Sequence, residues 1–279
     1  MIGITGISSS AIITKLLVDL KRTANPETRM ILGILIIEDV FLAMYLPVLS
    51  TLLFTKGTTM SQTVLTVVVM VVFILFVMII GPRLGKLIEG VFDKCRGENF
   101  VILLFTLLLV SVVVLKKIHI EEVIGALLLG MILAETTHSK KIIQTITPMR
   151  ELFGAVFFFA FGLHMNYRLL DQAIEIALIA VMITIIGNIA VGWLAAWIGG
   201  YKGRRATTIA FTIIARGEFA ILVAAMAVAA NLDPLLSSFA ALYVLMLAFI
   251  SPVLAKNTKT IHVKLAGIFE KYTKTKLLN

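Results

Sequence analysis

The stretch ILGILIIEDVFLAMYLPVLSTLL, Ile31 to Leu53, decides how this chain is read. Apart from two adjacent acids, Glu38 and Asp39, it carries no charge. About 20 residues of this kind cross a bilayer as one helix. Asp39 stands about ten residues from one end of that helix, roughly 15 Å at 1.5 Å per residue, which is close to the midplane. Neighbouring side chains on a helix diverge by about 100°, so the two acids cannot both face lipid. A desolvated carboxyl beside a second acid resists ionising alone, and holds either a proton or a small cation. Competition of two ions for one group is what an exchanger requires. The plainer alternative is a helix–helix hydrogen bond between two protonated acids.

The rest of the chain repeats the apolar pattern. Of 279 residues 59% are hydrophobic and 15% charged, against roughly 25% charged in soluble domains. Gly57–Pro82, Ile176–Tyr201 and Pro234–Ala255 contain no charge at all. The expected fold is an all-α polytopic membrane protein of about nine spans: 1–20, 29–54, 60–81, 99–115, 120–135, 150–166, 171–198, 204–231 and 234–255. The net charge of +9 collects in alternate connections, from Lys21, Arg22 and Arg29 to Lys202, Arg204 and Arg205, and in the tail. The opposite side holds only Lys56, Lys116, Lys117 and Arg168. Basic connections stay in the cytoplasm, so the charge orients the chain in a cell membrane, with the bilayer rather than nucleic acid as its partner. The single cysteine, Cys95, excludes an internal disulfide.

Polar residues at membrane depth need a reason to be there. Thr5-Gly-Ile-Ser8-Ser9-Ser10 suits an unwound stretch whose carbonyls and hydroxyls offer oxygen to a hard cation, although small residues also serve close helix packing. Arg216-Gly217-Glu218 interrupts an otherwise apolar span, and the flanks are each too short to cross alone; interrupted helices mark transporter binding sites. The bland reading has Arg216 and Glu218 neutralise one another. Asn188 reads first as helix–helix glue. No phosphate loop, Ser-His-Asp order or zinc spacing is present, so an enzyme reading has no residue to rest on. No cofactor is expected beyond the transported potassium or sodium and the proton.

Ser8-Ser-Ser-Ala-Ile-Ile-Thr-Lys-Leu-Leu-Val-Asp-Leu20, Asn25-Pro-Glu27, Gly33-Ile-Leu-Ile-Ile-Glu-Asp39, Phe157-Phe-Phe-Ala-Phe-Gly-Leu163 and Arg216-Gly-Glu-Phe219 together resemble the Kef-type monovalent cation:proton antiporters, in the same order and over essentially the whole chain. The resemblance implies an inverted-repeat fold with two crossed, interrupted helices, here those holding Ser8–Ser10 and Arg216–Glu218, and an essential aspartate beside the crossing, matching Asp39. It implies a 1–255 exchanger domain with core helices at about 1–54 and 171–255, scaffold helices at about 60–166, and a cytoplasmic tail at 256–279. The core moves like an elevator, in a homodimer. Kef-type proteins often depend on a cytosolic ligand-binding domain, so a separate regulatory subunit is an expected partner.

Two departures matter. Many relatives carry a lysine where Gly187-Asn188 aligns, ion-paired with the first acid and linked to electrogenic exchange. Its absence leaves Glu38 to find another partner, for which Arg216 is the candidate, and favours electroneutral exchange. Relatives also have several helices before the serine segment, which implies a chain lacking its N-terminal helices, a fragment or a truncated product. The expected function is potassium- or sodium-for-proton antiport at Asp39, assisted by Glu38. A gated potassium efflux channel and a non-transporting membrane subunit or fragment stand as its rivals.

Overall fold

The computed structural model describes residues 2–54, 60–117, 122–164 and 167–264. Eleven α-helices follow one another: α1 (Ile2–Thr5), α2 (Ser10–Asp19), α3 (Pro26–Phe54), α4 (Met60–Phe92), α5 (Glu98–Lys117), α6 (Glu122–Ala134), α7 (Ser139–His164), α8 (Leu170–Ile198), α9 (Arg204–Thr212), α10 (Glu218–Ala229) and α11 (Leu235–Lys256), with a 3-10 turn at Tyr167–Leu169. No strand occurs among the described residues. Among these residues four segments are long and apolar enough to cross a bilayer: Pro26–Ser50, Ser139–Leu163, Tyr167–Ile198 and Leu235–Lys256. The protein is therefore an all-α polytopic membrane protein.

The chain divides into two compact units, residues 1–39 with 161–279, and residues 40–160. In the first, α8 turns a face of small residues inward, with Ala173, Ala177, Thr184, Gly192 and Ala196 buried. A Cβ at Gly192 would lie 2.4 Å from the Cα of Ala210 in α9, so only glycine lets these helices approach so closely. Helix α11 buries Phe239, Tyr243, Leu247 and Ser251 on one face, the four-residue spacing of a single helical stripe. Ile13, Leu17, Ile31, Leu35, Ile209 and Ile213 close a core between α2, α3 and α9. Outward-facing residues are equally apolar: Phe249 is 71% exposed and Ile183 66%. Water would not tolerate that surface in bulk, whereas hydrocarbon does.

Two spans run longer than their apolar runs. Helix α4 passes through Pro82 to Phe92, well beyond residue 81. Its extension is amphipathic, with Gly81, Gly85 and Phe92 buried on one side. Helix α7 begins at Ser139 rather than 150, running through Pro148. Ile142 is buried there beside Phe92, Phe100, Leu129 and Leu133, and this packing extends the helix past its polar residues. An uncharged run ends at the first charged turn, so both extensions escape it.

Candidate functional site

Helix α1 stops at Thr5 and α2 starts at Ser10, leaving Gly6–Ser9 unwound. Ser9 has extended backbone (φ −87, ψ 102), and its Oγ accepts from the Ile12 amide, capping α2. A second gap, Ile213–Gly217, separates α9 from α10. The two gaps bond to each other. Ser9 N donates to Ala215 O at 2.9 Å, and Ser8 Oγ donates to Ile213 O at 2.9 Å. A Cβ on Gly217 would stand 2.5 Å from Ser9 Oγ and 2.8 Å from Ser9 Cβ. Glycine at 217 is therefore a condition of the crossing.

Each gap leaves orphan carbonyls behind it and orphan amides ahead of it. Arg216, 3% exposed, serves the carbonyl side. Its Nε donates to Thr5 O at 3.0 Å, and Nη1 reaches Ser8 Oγ at 2.8 Å and the carbonyls of Ile213 and Ala215 at 3.3 Å each. A cation at two helix C-termini matches the sign of their dipoles. Carboxylates serve the other side: Glu38 Oε2 accepts from the Ser8 amide at 3.0 Å, and Glu218 Oε2 accepts from Ser9 Oγ at 3.3 Å.

This arrangement corrects one expectation. Among the described residues Arg216 forms no ion pair with Glu38 or Glu218; carbonyls and Ser8 take its donors. The partner of Glu38 is a backbone amide, because an unwound helix start presents N–H groups that donate to a carboxylate in place of a guanidinium.

Asp39 is half-buried, and Glu38, Glu218 and the Ser10 hydroxyl act on its carboxyl. The Ser8 and Ser9 hydroxyls both donate and accept in holding the crossing, and Ser10 is the serine turned to Asp39. Asn188, on α8, has a buried Nδ2 with no hydrogen bond among the described residues.

Two further residues join this network. Tyr243 on α11 donates its hydroxyl to Thr5 O at 3.3 Å and lies 2.8 Å from Thr184 Oγ1 on α8. The sequence did carry a signal for them: a tyrosine inside an uncharged span, away from the interface where such rings usually sit, requires a polar partner.

An all-α membrane protein with two broken helices bonded gap to gap, and three carboxyls gathered at the gaps, has the make-up of an ion transporter. The chain belongs to the sodium/hydrogen exchanger, transmembrane, family, whose profile matches residues 1–256. It is 42% identical over 268 residues to the K(+)/H(+) antiporter subunit KhtU of Bacillus subtilis, covering 96% of this chain and 66% of that protein. It is 26% identical to the ammonium/H(+) antiporter subunit AmhT of Alkalihalophilus pseudofirmus, over 95% of this chain and 67% of the relative. Against the high-affinity Na(+)/H(+) antiporter NhaS3 of Synechocystis identity is 23%, over 88% of this chain and 54% of the relative. The chain thus spans about two thirds of the length of the first two and about half of the third.

Proposed function

We propose that this protein exchanges a monovalent cation, potassium or sodium, for protons, with both ions competing for Asp39. The observation that carries this reading is the charge pattern at the crossing. Arg216 is occupied by carbonyls and Ser8, and the side chains acting on Asp39 are two further acids and a hydroxyl. Among the described residues no cation is paired with Asp39, and a carboxyl at membrane depth without one is stable only when protonated or when a mobile cation sits beside it. Those are the two states of an antiporter site. Glu38 assists by holding the Ser8 amide beside it, and Ser10 lends an oxygen to the bound ion. Thr5, Ser8, Ser9, Gly217 and Glu218 hold the frame, and Asn188 supplies a polar neighbour in the core.

In this reading the helices at 1–54 and 171–255 carry the site alternately to the two membrane faces, and those at 60–166 form the scaffold. The basic connections face the cytoplasm, as does the tail from 256, of which residues 265–279 lie outside the described residues. The whole protein works as a homodimer. Two relatives are named antiporter subunits, which favours a separate cytosolic subunit that regulates transport. Potassium is preferred to sodium on the strength of the 42% relative.

The test is competition. In proteoliposomes with a trapped pH dye, potassium, sodium and lithium pulses are compared over a pH series. Antiport lowers internal pH on cation exit and raises it on cation entry, according to the gradient imposed. The half-saturating cation concentration should rise about tenfold for each pH unit of acidification once the site is mostly protonated. Cation flux that leaves the dye unchanged would establish the channel reading instead.

A further inference from the structure

We propose that Tyr243, oriented by Thr184, is a positioning residue for the cation site at Asp39. The inference rests on the exchanger reading above and adds residues from two helices that contain none of the acids. Tyr243 is 0% exposed, and its ring stacks on Phe239 with centroids 5.7 Å apart at 16°. Packing therefore fixes where the hydroxyl points.

A phenol has one proton to donate. That proton goes to Thr5 O, so in the 2.8 Å contact with Thr184 the threonine is the donor. The order is Thr184 O–H to Tyr243 O, then Tyr243 O–H to Thr5 O. Thr5 O, at the end of α1, also accepts from Arg216 Nε. Two donors from different helices thus converge on one carbonyl.

The consequence runs through Arg216. Its Nη1 holds Ser8 Oγ, and the Ser8 amide holds Glu38, the neighbour of Asp39. With the tyrosine in place, Thr5 O is pinned from α11 and Arg216 is seated by a fixed acceptor. Remove the hydroxyl and Thr5 O keeps the guanidinium but loses the donor that reaches it from α11. Ser8 then gains freedom, and the Glu38 carboxylate is no longer held at one distance from Asp39. The ring of Tyr243 touches no transported ion; it acts through Thr5 and Arg216.

The experiment is a two-residue cycle in proteoliposomes. Tyr243→Phe keeps the ring and removes the hydroxyl. The expected result is a half-saturating cation concentration about threefold to tenfold above wild type, the size of one neutral hydrogen bond, with the maximal rate within about twofold. Thr184→Val is expected to shift it in the same direction by less, and Thr184→Ser to behave as wild type. Because Thr184 acts through the phenol, Thr184→Val added to Tyr243→Phe should have no further effect. An unchanged half-saturation in Tyr243→Phe, or independent multiplication of the two effects, would overturn the proposal. If Tyr243→Phe fails to assemble, Thr184→Val and Thr184→Ser decide it, since both leave the ring in place. A wild type that moves no protons sinks the exchanger reading separately. Cation-dependent thermal stabilisation of the purified protein then reports the site: equal midpoints for wild type and Tyr243→Phe refute the positioning role, and a raised midpoint supports it.

Discussion

Glu38 and Asp39 are adjacent in the chain and differ in what surrounds them. Glu38 accepts from the Ser8 amide, while Asp39 meets Glu38, Glu218 and Ser10. Replacing Glu38 by alanine orphans that amide, and the expected loss is about 1–3 kcal/mol, read as a lower melting temperature in detergent. Glu38→Gln retains an acceptor and should melt near wild type; equal melting of the alanine and glutamine variants would refute the amide contact. Gly217→Ala brings a methyl against Ser9, and the serine must then give up its bonds to Ile12 and Glu218. Exchange is expected to fall at least tenfold in this variant, while Gly33→Ala, with nothing within 4 Å of the added Cβ, should transport normally. At this scale much was legible beforehand. Depth and adjacency singled out Glu38 and Asp39, and the glycine between two charges singled out position 217. The partner of Glu38 was not legible, because backbone amides carry no sequence signature.

Among the helices, the informative ones are those that stop short. Helices α2 and α10 begin inside the protein, and their partners α1 and α9 end there, so four helix ends need compensation in one place. Arg216 satisfies three carbonyls and a hydroxyl through a planar fork, a geometry an ammonium group cannot copy. Arg216→Lys is therefore expected to lose about 2 kcal/mol of stability together with most transport; a lysine variant of full stability would contradict this account of the crossing. The extended end of α4 offers a different test. The Glu89 carboxylate accepts from the amide and hydroxyl of Thr137, and those bonds hold it below the usual carboxylate range. A carboxyl lowered in the folded state stabilises at neutral pH, and the gain is lost as pH falls through the lowered value. His138 faces the same turn, with its Nε2 3.4 Å from a carboxylate oxygen of Asp93. The protection factor of the Thr137 amide should fall as pH drops through that lowered range, and Glu89→Gln should remove that dependence. The interruptions were legible from Ser8–Ser10 and Arg216–Glu218. The extensions of α4 and α7 were not, since their turns packed beside Phe92 and Phe100 carry charged residues that end an uncharged run.

For the whole molecule, the apolar exterior, the broken helices and the family profile over residues 1–256 point the same way. Composition and the spacing of charges sufficed for the membrane fold. The contribution of α8 and α11 to the crossing needed coordinates, because Thr184, Tyr243 and Thr5 are far apart in sequence and individually unremarkable. Asn188 bears on the stoichiometry of exchange. With asparagine where the resemblance puts a lysine in many relatives, each cycle is expected to move one proton against one cation, so a potential-sensitive dye should stay silent while the pH dye responds; a membrane potential built up by exchange would contradict that. The central claim is tested most directly by one substitution in the same vesicles. Wild-type protein should give a potassium- or sodium-dependent change in pH-dye fluorescence, and Asp39→Asn, folded and inserted to the same extent, should give none; an equal response from both would refute Asp39 as the exchange site.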